Sequence, residues 1–248
     1  MESIYNLAKG QKIFIVEDAA HAIGSDYQNA KVGSCAYSDM TVFSFHPVKN
    51  MTTGEGGAIT TNDENLYEKL LRLRSHGIVK NPEIAATNGR WYYEMHSLGF
   101  NCRMIDLQAA LGISQLKRIE RFKEKRRHIV SLYKELFAKY NRISFLEERK
   151  YSNACPHLCP VLIDFKGLKI DKKQFVDNLF NAGLHLHVHY IPVYLHPYYR
   201  KFGFSKGDYP NMGKYYLQTI SLPLYYDLSG GDVHYIVEKF LETLNNVL

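Results

Sequence analysis

Residues Lys12 to Val16 form a short apolar run rich in β-branched side chains that stops abruptly at Glu17-Asp18. Such a run is expected to be a buried parallel strand with polar residues at its carboxyl end. Open α/β sheets place their ligands at those ends. A second run, Met40 to Phe45, repeats the pattern and ends in His46-Pro47, and a third, Ala58 to Thr61, leads into a helix. That helix is expected to open with the capping box Thr61-Asn62-Asp63-Glu64, to bury Leu66, Leu70 and Leu73 on one stripe, and to stop at Gly77. Strands alternating with helices imply an α/β layer fold.

From Met104 to about Tyr140 the sequence reads as one long helix, with Leu107, Leu111, Ile119, Phe122, Ile129, Tyr133 and Leu136 at three- and four-residue multiples. A second α/β unit follows. It comprises a strand from Leu158 to Ile163, a helix capped by Asp171 and Gln174 and ended by Gly183, and a strand from Leu184 to Tyr190. Beyond a Pro- and Tyr-rich loop, a helical stretch near Asn211, a short strand at Ile220 to Leu222 and a terminal helix from about Asp232 complete the pattern. The expected division is residues 1–115 as part of a large domain and residues 116–248 as the connecting helix with a smaller domain.

The 31 Lys+Arg against 25 Asp+Glu leave a net charge of +6, which suits an anionic ligand without requiring nucleic acid. The densest basic stretch, Lys117 to Arg127, is interrupted by Glu120 and Glu124 and by Ile119 and Phe122, and is read as a solvated helix face. Four cysteines, with no cleavable signal and no apolar run of membrane-spanning length, point to a reducing compartment. The cytoplasm is expected, with neither membrane nor nucleic acid as partner.

Asp18 stands at the carboxyl end of the first strand, and Lys49 stands just past the second, between Pro47 and the turn Gly54-Glu55-Gly56-Gly57. An electron-sink cofactor needs such a pair: an amine that forms an imine and shuttles protons, and a carboxylate that keeps a pyridine nitrogen protonated. Spacing alone leaves open that both are ordinary charges near strand ends.

Four ordered blocks narrow that choice. Glu17-Asp18-Ala19-Ala20-His21-Ala22-Ile23-Gly24, Phe43-Ser44-Phe45-His46-Pro47-Val48-Lys49, Thr53-Gly54-Glu55-Gly56-Gly57-Ala58 and Leu98-Gly99-Phe100-Asn101-Cys102-Arg103-Met104 together resemble the DegT-type sugar aminotransferase family. Gln108-Ala109-Ala110-Leu111-Gly112 extends the last block. The resemblance implies the carboxyl-terminal part of a fold-type-I aminotransferase, with a partial large α/β/α domain and a small α/β domain. It implies pyridoxal 5'-phosphate as cofactor, with Lys49 as the Schiff-base lysine and proton shuttle and Asp18 as partner of the pyridine nitrogen. It further implies Ser44 on the cofactor phosphate, His21 against the ring or its hydroxyl, and Asn101 reaching the phosphate of the other subunit in a homodimer. The family's dehydratase branch carries histidine where this chain has Lys49, so transamination is favoured.

The segment from His187, His189 and Tyr190 through Pro192, Tyr194 and Pro197 to Phe204 is similar to the branch of that family acting in pseudaminic acid biosynthesis. The substrate so implied is a UDP-2-acetamido-2,6-dideoxy-4-hexulose, with L-glutamate as donor and His187, His189 and Tyr190 contacting the substrate. A metal site on His185, His187 and His189 with Cys155, His157 and Cys159 is the competing reading; the spacing matches no structural zinc pattern, and no metal is expected. The many tyrosines are expected mostly in the core.

Family members begin well before this chain's first residue, with a helix whose amino terminus cradles the cofactor phosphate and a side chain that stacks on the ring. Met1 to Ala8 resembles the interior of the helix before the aspartate strand. The chain alone is therefore expected to bind pyridoxal phosphate poorly, and a non-catalytic remnant or interaction module is the alternative to an enzyme.

Overall fold

A computed structural model describes residues 1–247. Contacts divide the chain into two units, residues 1–120 with 151–154, and residues 121–150 with 155 onward. In chain order the elements begin with α1 (Glu2–Ala8), β1 (Val16–Asp18), β2 (Asp26–Tyr27), β3 (Ala30–Lys31), β4 (Met40–Ser44) and β5 (Gly57–Thr60). They continue with α2 (Glu64–Arg74), β6 (Ile78–Val79), α3 (Pro82–Asn88), β7 (Glu94–Met95), α4 (Asp106–Leu116) and α5 (Ile119–Phe137). Then come β8 (Ile143–Phe145), β9 (Ser152–Asn153), β10 (Cys159–Ile163), α6 (Lys172–Asn181), α7 (Pro197–Arg200), α8 (Pro210–Gln218), β11 (Thr219–Leu222) and α9 (Gly230–Asn245).

In the first unit the main sheet has the order β1-β4-β5. β1 runs parallel to β4, with Asp18 opposite Val42, and β5 runs antiparallel, with Gly57 opposite Ser44. A parallel neighbour puts the ends of β1 and β4 on the same side of the sheet. Beneath them Ala19, Phe43, Phe45 and Met51 form a small buried cluster. The β2–β3 hairpin is joined by β9, which returns to this unit from far along the chain.

The second unit has an antiparallel sheet, β11-β10-β8, packed with α5, α6 and α9. β10 alternates buried and half-buried positions, and its inward Val161 and Ile163 meet Tyr133, Phe175, Ile220 and Phe240. Phe240 stands edge-on to both Phe137 and Phe175 at centroid distances of 5.3 Å. Such ring pairs add roughly 0.5–1.5 kcal/mol each beyond area burial. The boxes Asp171/Gln174 at α6 and Ser229/Asp232 at α9 are both fully formed.

Several sequence expectations are corrected. The first strand starts only at Val16; Ile13 and Phe14 lie exposed, and Ile15 is held outside the strand by the Asp39 carboxylate accepting its N–H at 2.7 Å. Helix α2 is capped by Asp63, whose carboxylate accepts from Leu66 N, because the Thr61 hydroxyl is turned to the Asp39 carbonyl. Leu66, Leu70 and Leu73 are half-buried rather than buried. The long helix is two helices. The Arg118 N–H bonds to Gln115, three residues back, so the chain tightens and breaks before Ile119. Leu107 and Leu111 are exposed. The basic stretch is not wholly solvated, since Lys123 and Arg126 are buried. Residues Leu184 to Tyr190 do not form a strand; the segment makes a single bridge, His187 with Ser221.

Candidate active site

The loop after β4 is fixed before any ligand is considered. The Phe45 carbonyl accepts from Thr53 N at 3.1 Å and from the Thr52 hydroxyl at 3.0 Å, while Phe45 N donates to Gly56 O at 2.8 Å. Those bonds close residues 45–56 into a loop at the end of the β4–β5 hairpin. Within it the Lys49 N–H turns back to the His46 carbonyl at 3.0 Å. Directly after the lysine the loop is anchored inward: Asn50 is buried and donates to the Ile23 carbonyl at 3.4 Å, and Met51 enters the apolar cluster. Gln108, at the start of α4, donates to the Glu55 carbonyl at 2.9 Å, while its own oxygen accepts from Ile105 N. Gly112 of the same helix lies against Thr53, where a Cβ would stand 2.9 Å from the threonine methyl. Lys49 is thus carried on a backbone held by buried contacts, the condition for a reactive amine to sit in a defined place.

Asp18 ends β1 beside this loop. Its Oδ1 accepts from Ala20 N at 3.1 Å, and its Oδ2 has no hydrogen-bond partner among the described residues. Burial pulls the Lys49 ammonium below the ordinary lysine range, and the Asp18 carboxylate acts in the opposite direction. The two side chains therefore share one electrostatic neighbourhood. The Ser44 hydroxyl, on the last residue of β4, accepts from His46 N at 3.4 Å, which leaves its proton available to donate. An amine, a carboxylate and a hydroxyl donor on adjoining strand ends suit a phosphorylated pyridine aldehyde: a primary amine for the carbonyl, an anion for the ring nitrogen and a donor for the phosphate.

His21 is exposed in the turn after Ala19, whose carbonyl accepts from Ala22 N. Asn101 is exposed and bridged to Ser75. In the second unit the His189 Nδ1 lies 2.8 Å from the Ser221 hydroxyl, and burial, followed by the neighbouring His187, pushes its pKa down. The His187 and His189 rings are 6.3 Å apart, whereas His185 stacks on Phe180 at 4.1 Å, so the three imidazoles do not converge. Tyr190 is exposed and edge-on to His189. Sequence reasoning passed over Asn50 and Thr52, whose polar side chains help hold the loop, and quoted Thr53 only as part of a motif block; the signal for all three was the run of small polar residues ahead of the glycine turn.

The family model of the DegT/DnrJ/EryC1/StrS aminotransferases matches residues 1–241. The chain belongs to that family. Among its relatives, the UDP-4-amino-4,6-dideoxy-N-acetyl-beta-L-altrosamine transaminase of Campylobacter jejuni is 37% identical over 247 residues, covering 100% of this chain and 63% of the relative. The Helicobacter pylori aminotransferase PseC, involved in the biosynthesis of pseudoaminic acid, superposes with a TM-score of 0.87 at 33% identity, over 99% of this chain and 63% of that one. Spr1654 of Streptococcus pneumoniae in its PMP form gives a TM-score of 0.86 at 33% identity, over 95% of this chain and 60% of that one, and a PLP form of the same protein also matches. The α/β fold is accordingly that of the fold-type-I sugar aminotransferases. The chain spans about three fifths of the length of the curated relatives it matches. Among the described residues no helix is long and apolar enough to cross a membrane.

Proposed function

We propose that this chain serves pyridoxal-phosphate-dependent transamination of a nucleotide-linked 4-keto-6-deoxy sugar, a UDP-2-acetamido-2,6-dideoxy-4-hexulose, with L-glutamate as amino donor. The observation that carries the reading is the pairing of Lys49, on the loop after β4, with Asp18 at the end of the neighbouring β1, whose carboxylate acts on the lysine's charge. Relatives named as UDP-amino-sugar transaminases, at 35% and 37% identity, support the substrate class.

Bound pyridoxal phosphate supplies the electron sink that aminotransfer requires. Lys49 supplies the amine, and a pKa lowered by burial leaves a larger share of it unprotonated to take up and return a proton near neutrality. Asp18 would face the ring nitrogen. Ser44 donates to the phosphate, His21 lies against the ring, and Asn101 reaches the phosphate of the second subunit of a homodimer. His187, His189 and Tyr190 meet the sugar nucleotide, with a neutral His189 held by Ser221 as a hydrogen-bonding rather than a charged contact. The first unit then corresponds to part of the cofactor-binding domain, working in the cytoplasm.

The test is covalent trapping. With excess pyridoxal phosphate and borohydride, peptide mapping should find the label concentrated at Lys49 and lost in Lys49→Ala, even where affinity is low. Label spread evenly over the surface lysines would sink the reading.

A further inference from the structure

Ser221 of β11 grips the segment from His187 to His189 twice. Its backbone N–H donates to the His187 carbonyl at 2.8 Å, closing a β-bridge, and its hydroxyl meets His189 Nδ1 at 2.8 Å. The main chain of His189 has a further hold, the Tyr215 hydroxyl of α8 donating to its carbonyl at 3.4 Å, and the Tyr190 ring stands edge-on to the imidazole at 4.7 Å. A polar side chain tied in this way keeps one orientation before any ligand arrives.

The direction of the hydroxyl contact decides which ring nitrogen carries the proton. Either the serine O–H donates to an unprotonated Nδ1, or a protonated Nδ1 donates to the serine oxygen. Ser221 is 5% exposed, and its hydroxyl has no other hydrogen-bond partner among the described residues. In the second arrangement the serine proton is left buried without an acceptor, and one buried hydrogen bond unmade disfavours that arrangement by roughly five- to a hundredfold. In the first arrangement the serine proton is used, Nδ1 accepts, and the single proton of the neutral imidazole lies on Nε2. Burial, and after it His187, push the His189 pKa down, which favours the neutral ring. Nε2 has no hydrogen-bond partner among the described residues, and His189 is half-buried rather than enclosed, so this N–H is open to a ligand.

We infer that Ser221 is a positioning residue that fixes His189 as its Nε2–H tautomer, so that the imidazole presents a hydrogen-bond donor to its ligand and selects an acceptor oxygen, such as a carbonyl, over an N–H group. The ligand's identity as a nucleotide sugar rests on the reading above; the tautomer rests on the Ser221 contact alone.

Two-bond proton–nitrogen NMR spectra of the purified chain at about pH 8, where an imidazole is neutral, read the tautomer of each histidine with no ligand present. The His189 signals, identified by their loss in His189→Gln, should show an unprotonated Nδ1 and a protonated Nε2. Ser221→Ala should raise the Nδ1–H share roughly fivefold or more, the lower end of the bias that the hydroxyl supplies. Ser221→Thr, which keeps a hydroxyl, should keep the wild-type tautomer. His187 is the internal control: it is exposed, its ring has no hydrogen-bond partner among the described residues, and Ser221 holds it only through the main chain. A substitution that merely loosened the segment would alter both rings alike, whereas loss of the hydroxyl should move His189 and leave His187 as it was. A wild-type His189 with its proton on Nδ1, a tautomer ratio unchanged in Ser221→Ala, or equal changes at His187 and His189 would each overturn the inference. A failed labelling at Lys49 would leave these spectra untouched, so the two claims fail separately.

Discussion

Gly57 faces Phe43 so closely that a Cβ on the glycine would stand 2.6 Å from the phenylalanine carbonyl oxygen. The pair lies where β5 joins β4, one step from the loop that carries Lys49. Gly57→Ala must push the strands apart, and inserting a carbon into a packed contact typically costs about 1–3 kcal/mol. A lower melting temperature is expected together with slower pyridoxal phosphate labelling at Lys49, since the loop hangs from this hairpin. Unchanged melting and labelling would show that the ladder does not position the lysine.

Lys49 and Asp18 predict a pH signature. Burial lowers the lysine's pKa and Asp18 raises it, so removing the carboxylate's charge in Asp18→Asn should lower it further. The pH profile for modification of Lys49 by an amine-selective reagent, followed by peptide mapping, should begin below that of the exposed lysines and move lower again in Asp18→Asn. A profile moving upward in the variant would mean that the two groups do not share the neighbourhood described.

Local chemistry was legible in the sequence wherever one side chain had one available role. The Asp171/Gln174 box could be read because nothing else competes for either residue. At α2, Thr61 and Asp63 offer the same kind of oxygen, and only the Asp39 carbonyl, brought beside Thr61 from the bend before β4, decides that Asp63 caps. The break after Leu116 was invisible because Lys117 and Arg118 are both good helix formers. Alternation at His185, His187 and His189 imitated a strand, although the segment makes one bridge and His185 turns to Phe180. At the candidate site Asp18, Ser44 and Lys49 stood out as motif residues. The polar contacts that hold the loop did not, since Asn50 acquires its partner only when the segment at Ile23 is brought beside it.

Arg126 is buried, with no carboxylate ion-paired to it among the described residues. Its Nη1 donates to the Leu224 carbonyl at 3.0 Å and the His157 carbonyl at 3.4 Å, its Nε has no hydrogen-bond partner among the described residues, and burial pulls its pKa down. Arg126→Ala leaves a cavity and strips a donor from both carbonyls, so a loss of about 2–4 kcal/mol is expected. Arg126→Met fills the cavity and removes the cost of burying the charge, so it should recover at least half of that loss. Native-state hydrogen exchange at β10 amides reports the second unit directly. Equal losses in the two variants would show that the donors, and not the packed stem, are what matter.

Lys172, the first residue of α6, donates to the Tyr216 carbonyl, and burial brings its pKa from 10.5 down to about 8. The sign of the consequence follows from proton counting. Below about pH 8 both folded and unfolded chains hold the proton, and the folded state bears the whole cost of a partly buried ammonium. As pH rises through that value the folded state releases its proton while the unfolded chain keeps it, so stability increases toward the ordinary lysine range. Tyr133 sets a limit: burial raises its pKa above the usual 10.0, so ionisation of this tyrosine in the unfolded chain opposes the gain at higher pH. Between about pH 7 and about pH 10 the melting temperature of the wild type should therefore climb relative to Lys172→Met, which keeps Tyr133 and lacks the ammonium. Parallel melting curves for the two proteins across that window would mean that Lys172 remains solvated in the folded chain.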